Sequence, residues 1–152
     1  MRFQPVPMQG DHARAVVEWG FDSFYSFYDL RNWPEDIASW LDPENWEDTF
    51  AVLDEQGELV GEYSFTPRQD GLEIGLTLRP DLNGKGHGKA FVERAVELAL
   101  EIYPHDSLII RVWELNGRAR RVYEKAGFSV ARREKVDLEG MPCSFLVLTR
   151  QR

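Results

Sequence analysis

The chain has 152 residues, 43% hydrophobic and 29% charged, which are the proportions of a globular protein able to bury one core. A net charge of −8 argues against nucleic acid as a partner, and no apolar run approaches the roughly 20 residues of a membrane helix. A lone cysteine, Cys143, excludes an internal disulfide framework, and Met1 to Pro5 carries no apolar leader, so the expected location is the cytoplasm.

No repeat, low-complexity tract or linker interrupts the chain, and one domain is expected over residues 1–152. Phe3 to Val6 reads as a short strand. Asp11 then caps a helix that turns Ala15, Val16 and Trp19 inward and closes at Gly20. Ten of the 19 aromatic residues follow between 19 and 50, among them Phe24, Tyr25, Phe27, Tyr28, Trp33, Trp40 and Trp46. Within that stretch, Asn32-Trp33-Pro34-Glu35 resembles a cap before a second short helix.

From residue 49 the apolar period becomes that of strands. Thr49 to Asp54, Leu59 to Thr66 and Leu72 to Leu78 form an antiparallel meander, with turns at Glu55-Gln56-Gly57 and Gln69-Asp70-Gly71. A glycine loop, Asn83 to Gly88, leads into a helix from about Lys89 to Tyr103. Phe91, Ala95, Leu98 and Ile102 share its apolar face, while Glu93, Glu97 and Glu101 share another. Leu108 to Trp113 is apolar apart from Arg111, as suits a central strand. Asn116 caps a helix ending at Gly127, and Val130 to Leu138 pairs with Cys143 to Thr149 in a hairpin turned at Glu139-Gly140. The strand–helix–strand unit over residues 72–113 requires parallel strands joined by a right-handed crossover. The expected fold is a mixed α/β sheet: antiparallel meander, central crossover and C-terminal hairpin.

Gly84-Lys85-Gly86-His87-Gly88-Lys89 is the most informative segment. Alternate glycines expose backbone N–H groups to an anion, the following helix adds its positive end, and Lys85 and Lys89 add charge. A pyrophosphate suits such a loop; a flexible loop that needs glycine only for its turns is the plainer reading. A nucleotide-binding P-loop ending at Lys89 would need Gly at 83 and Ser or Thr at 90, where Asn83 and Ala90 stand. A dinucleotide fingerprint starting at Gly84 would need Gly at 89, which is lysine.

Arg79 to Lys89 is similar to the R/Q-x-x-G-x-G/A signature of the GNAT superfamily of N-acetyltransferases, and Asn116 to Phe128 resembles that family's N-x-x-A-x-x-x-Y-x-x-x-G-F segment. The resemblance spans roughly Phe50 to Leu148. It implies acetyl transfer from acetyl-CoA to a primary amine, either a small molecule or a protein N-terminus, without a metal. The amides around Asn83, Gly84, Lys85, Gly86, His87, Gly88 and Lys89 would hold the coenzyme A pyrophosphate. The free edge at Leu76, Thr77 and Leu78 would pair with the pantetheine arm, and Asn116 would lie near the cofactor. Asn83 stands where the family has Arg or Gln, which weakens the grip without touching the backbone contacts. A non-catalytic acyl-CoA-binding module is the alternative, and monomer and homodimer both stay open.

The resemblance also suggests a proton path. A phenol stays protonated at neutral pH, so Tyr123 suits a general acid to the departing thiolate; a tyrosine packed on the sheet is the plainer reading. Glu73, on the strand leading to the loop, is the candidate base, with a surface carboxylate or water alone as the alternatives. The aromatic stretch would cover an acceptor pocket, and Glu35, Asp36, Glu44, Glu47 and Asp48 would attract a cationic amine, unless the aromatics simply pack two helices on the sheet. Charge is divided the same way: residues 1–60 hold 3 basic and 13 acidic side chains, net −10, and the rest net +2.

Overall fold

The computed structural model describes residues 1–21, 29–138 and 140–152; Phe24, Tyr25, Phe27, Tyr28 and Glu139 lie outside the described residues. The strands are β1 (Gln4–Pro7), β2 (Thr49–Leu53), β3 (Leu59–Arg68), β4 (Gly71–Leu78), β5 (Ser107–Trp113), β6 (Ser129–Leu138) and β7 (Met141–Gln151). The helices are α1 (Gly10–Val17), α2 (Pro34–Trp40), α3 (Gly88–Ile102) and α4 (Gly117–Lys125). The strands form a mixed sheet in the order β1-β2-β3-β4-β5-β7-β6, the α/β architecture that the sequence pattern predicts. The chain gathers into two compact units, Met1–Ser64 with Leu76–His87, and Phe65–Gly75 with Gly88–Arg152.

In the first unit β2 is antiparallel to both β1 and β3, with Val6 opposite Ala51 and Ala51 opposite Glu62. The β2–β3 turn closes because the Asp54 carboxylate accepts from the N–H groups of Gln56 and Glu58 at 2.9 and 3.0 Å. One face of these strands is covered by helix. Ala13 of α1 packs with Met8 and Ala51, and Trp40 and Trp46 lie against that cluster. Both indoles also reach backbone acceptors: Trp40 Nε1 donates to the Ala13 carbonyl at 2.9 Å and Trp46 Nε1 to the Trp40 carbonyl at 2.8 Å. Two expectations for α1 are corrected. The helix starts at Gly10 after an uncapping Gln9, so Asp11 sits in the first turn, where its charge still favours the helix dipole. That start turns Ala13, Val16 and Val17 inward, while Ala15 is exposed.

In the second unit β4 and β5 run parallel, with Leu72 opposite Leu108 and Glu73 opposite Ile109, and α3 makes the crossover between them. α3 buries Phe91, Val92, Ala95, Val96, Leu98 and Ala99 and turns Glu93, Glu97 and Glu101 to solvent. Ile102, expected on the apolar face, is 48% exposed because the helix ends there, two residues before Pro104. β7 lies between β5 and β6, pairing with β5 from Ser107–Gln151 to Trp113–Phe145. That leaves β6 at the edge, lined by Arg132, Arg133, Lys135 and Asp137, charges that discourage pairing with another chain. Cys143 is half-buried rather than buried.

Candidate active site

The glycine loop begins from a stapled turn. Beyond β4, the Arg79 N–H donates to the Val60 carbonyl at 2.8 Å and its Nη1 to the Leu59 carbonyl at 2.9 Å. Its Nε and Nη2 grip both oxygens of Asp81, at 2.7 and 3.2 Å, which holds the Asp81 carboxyl below its ordinary range. A 3-10 turn over Pro80–Leu82 follows, anchored by buried Leu82, and Asn83 donates its N–H to the Pro80 carbonyl at 3.2 Å. Arg79 was not singled out from the sequence, although it opens the loop segment and its guanidinium is what ties β3 to that turn.

Gly84, Lys85 and Gly86 are exposed, and Gly84 and Gly86 adopt φ of 74° and 87°, a region that excludes most side chains. A Cβ added at either would meet nothing within 4 Å, so the space over the loop is open. Asn83 to Gly86 form a hydrogen-bonded turn that ends at His87, ahead of α3. Exposed glycines at positive φ under open space, just ahead of a helix N-terminus, suit a diphosphate, and the loop therefore fits the head group of coenzyme A. Gly88 has a different reason. A Cβ there would lie 3.1 Å from both Cγ atoms of Val122, so this glycine lets the start of α3 approach α4. Lys89 pairs with Glu93 at 3.6 Å.

Along β4, Leu78 is buried, and Leu76 and Thr77 are half-buried. Thr77 Oγ1 donates to Glu62 Oε1 at 2.9 Å. Glu62 itself is 7% exposed, and its Oε2 has no hydrogen-bond partner among the described residues. Burial pushes its carboxyl up from 4.5 to about 7, against the opposing pull of the Thr77 hydrogen bond. Glu62 was not anticipated from the sequence, where it occupies an unremarkable position in the strand Leu59 to Thr66. The available signal was a carboxylate between Gly61 and Tyr63 in a strand otherwise apolar from Leu59 to Tyr63.

The remaining candidates belong to the second unit. Glu73 Oε1 lies 3.2 Å from the Nε of Arg68 and 3.2 Å from the Nε of Arg111, whose Nη1 also meets Glu134 at 2.6 Å. The oxygen expected to accept an ammonium proton is thus shared by two guanidinium groups. Asn116 caps α4, accepting from the Ala119 N–H at 3.1 Å. Tyr123, seven residues on and two turns along the same helix, is 9% exposed. Arg120 is engaged with Glu124 at 3.3 Å. Among the described residues there is no cluster of three or more His, Cys, Asp or Glu placed to hold a metal ion, and no helix is long and apolar enough to cross a membrane.

A profile for the acetyltransferase (GNAT) domain matches residues 5–129, which include β2 to β5, the glycine loop and α4. The chain belongs to the GNAT family of acetyltransferases. A peptidyl-lysine N-acetyltransferase, YjaB, of Salmonella typhimurium is 40% identical over 73 residues, covering 48% of this GNAT chain and 46% of that protein. The match thus spans less than half of that relative. A spermidine N(1)-acetyltransferase of Vibrio cholerae is 24% identical over 123 residues, covering 78% of this chain and 68% of that protein. Among solved structures, a GNAT-family acetyltransferase from Bacillus anthracis superposes with a TM-score of 0.80 at 19% identity, covering 99% of this chain and 95% of that one. The spermidine N-acetyltransferase of Vibrio cholerae in complex with CoA and spermine superposes at 0.70 with 17% identity, over 98% and 95% of the two chains. At those identities the likeness is one of fold.

Proposed function

We propose that this GNAT chain transfers an acetyl group from acetyl-CoA directly to a primary amine, and that residues 1–152 form one catalytic domain. The observation that carries the reading is the open glycine loop, where Gly84 and Gly86 hold positive φ and a Cβ at either would meet nothing within 4 Å. Acetyl-CoA supplies the activated acetyl group. The chain's own residues bind and move protons: amides 84–87 take the diphosphate, the backbone at Leu76 to Leu78 aligns the pantetheine arm, and an N–H near Leu78 faces the carbonyl oxygen where charge develops. The Tyr123 hydroxyl holds the proton that the departing thiol needs. Asn83, in place of a longer charged or amide side chain, leaves phosphate binding to the backbone.

The acceptor is a cationic primary amine, drawn by the acidic first 60 residues, net −10, and covered by the segment carrying Trp40 and Trp46. Relatives that acetylate spermidine and peptidyl-lysine support that chemical class. The lone half-buried thiol and the donor it uses suit a cytoplasmic enzyme. Calorimetric titration with acetyl-CoA, followed by thiol release across polyamines, amino sugars, lysine peptides and free peptide N-termini, tests the reading. Binding with turnover on one class of amine supports it. Binding without turnover on any amine would make the chain an acyl-CoA sensor, and no binding would remove the loop's role.

A further inference from the structure

Among the described residues, Glu62 stands apart from the carboxylates that are paired with a cation, used in a turn or exposed. Glu62 is buried, its Oε1 is fixed by Thr77 Oγ1 at 2.9 Å, and its Oε2 is both buried and without a partner among the described residues. A bare buried carboxylate oxygen is costly to fold, and a site that needs a proton acceptor accounts for it. Its position is equally specific. Glu62 lies directly across from Ala51, and cross-strand partners project to the same face. Ala51 packs with Ala13 under Trp40 and Trp46, the segment expected to cover the acceptor. On its other side Glu62 is tied to Thr77 of the strand that leads to the glycine loop.

Resting on the proposed amine acetyl transfer, we infer that Glu62 is the general base of this enzyme: its Oε2 takes the proton of the incoming ammonium, and Thr77 positions it. In that step one N–H bond of the ammonium breaks, its electron pair stays on nitrogen for attack, and an O–H bond forms on Glu62; the proton later passes to solvent. A free carboxyl held near 7 is half ionised at neutral pH and matched to this task. The groups around it leave that poise undisturbed. On β2 the facing residues Phe50, Ala51 and Val52 carry no charge, nor do Leu76, Thr77 and Leu78 on β4. Tyr63 is the neighbouring titratable group on β3, Arg79 is committed to Asp81 and the Leu59 carbonyl, and Asp11, His12 and Arg14 of α1 and Glu35 and Asp36 of α2 do not enter the Glu62 shift.

The test compares wild type with Glu62→Gln, an isosteric change that keeps an acceptor for Thr77. In wild type carrying ¹³C-labelled glutamate and no ligand, one side-chain carboxyl should titrate near 7 and vanish in the variant. With the amine that proves to be a substrate, kcat/KM of wild type should fall below about pH 7. Glu62→Gln should lose that limb and about 10²-fold to 10³-fold in rate at neutral pH. The defect should shrink toward pH 10, where the amine is neutral without help. A structural role would not produce that convergence. Wild-type turnover with a Glu62→Gln variant that keeps both rate and limb overturns the assignment while leaving acetyl transfer intact. Absence of any carboxyl titrating above about 6 in the free protein also overturns it. If wild type binds acetyl-CoA but acetylates no amine, the transfer reading fails first and the base with it.

Discussion

Replacing Glu62 by glutamine should make the folded protein more resistant to unfolding as pH rises, even as it disables the proposed chemistry. Below about pH 4.5 the carboxyl is protonated in both the folded and unfolded states and contributes no pH dependence. Between 4.5 and about 7 the unfolded chain releases this proton while the folded chain keeps it, so wild-type stability falls with rising pH and levels off above about 7. At roughly 1.4 kcal/mol per pH unit, the span from 4.5 to about 7 amounts to about 3 kcal/mol. Glutamine does not titrate and avoids that loss. Its buried amide adds a cost of about 1–3 kcal/mol that does not depend on pH, so the informative quantity is the change in the mutant–wild-type difference between about pH 4.5 and pH 8. Urea unfolding followed at a series of pH values measures it. Near-parallel curves for the two proteins would refute the claim that burial, unrelieved by a cation, sets the state of Glu62.

Four further outcomes are expected. Tyr123→Phe should lower kcat by about 10²-fold or more while leaving the calorimetric affinity for acetyl-CoA within a few-fold, since it removes only the hydroxyl. Gly86→Ala should weaken CoA binding about tenfold and cost about 1–2 kcal/mol of stability, because alanine is strained at a φ of 87°. Asn116→Ala should cost about 1 kcal/mol by removing the cap on the Ala119 N–H, lowering Tm by about 2–4 °C, and aspartate should restore most of it. Glu73→Gln should keep the acid limb near pH 7, because its carboxylate serves Arg68 and Arg111; losing the limb there would return the base role to Glu73.

Much of the fold was legible where one physical rule acts alone. The Glu93, Glu97 and Glu101 stripe marked the solvent face of α3, Asn116 marked the start of α4, and the crossover between β4 and β5 followed from chain order. Errors arose where neighbours decide. A two-residue shift in the start of α1, from a cap at Asp11 to one at Gln9, exchanged Ala15 for Ala13 in the core, and only the packing against Ala51 selects between them. The insertion of β7 between β5 and β6 is a choice among sheet edges that no local pattern encodes. Within the site, the openness at Gly84 and Gly86 followed from residue type, but the third glycine proved to answer to Val122. Glu62 stayed hidden because alternation in a strand says which face a side chain takes, not whether α1, Trp40 and Trp46 will close over that face. Glu73 looked available for the converse reason: its two arginine partners come from 5 and 38 residues away in sequence, Arg68 and Arg111.

The place of β7 also bears on how the chain emerges from a ribosome. Residues 107–113 are synthesised well before 141–151, so β5 must wait with an unsatisfied row of peptide groups along an apolar strand, and β6 appears with nothing yet to join. At roughly 5–20 residues per second that delay lasts a few seconds, long enough for a chaperone to matter and for a stop codon just upstream of residue 141 to leave a nascent product prone to clump rather than a shortened enzyme.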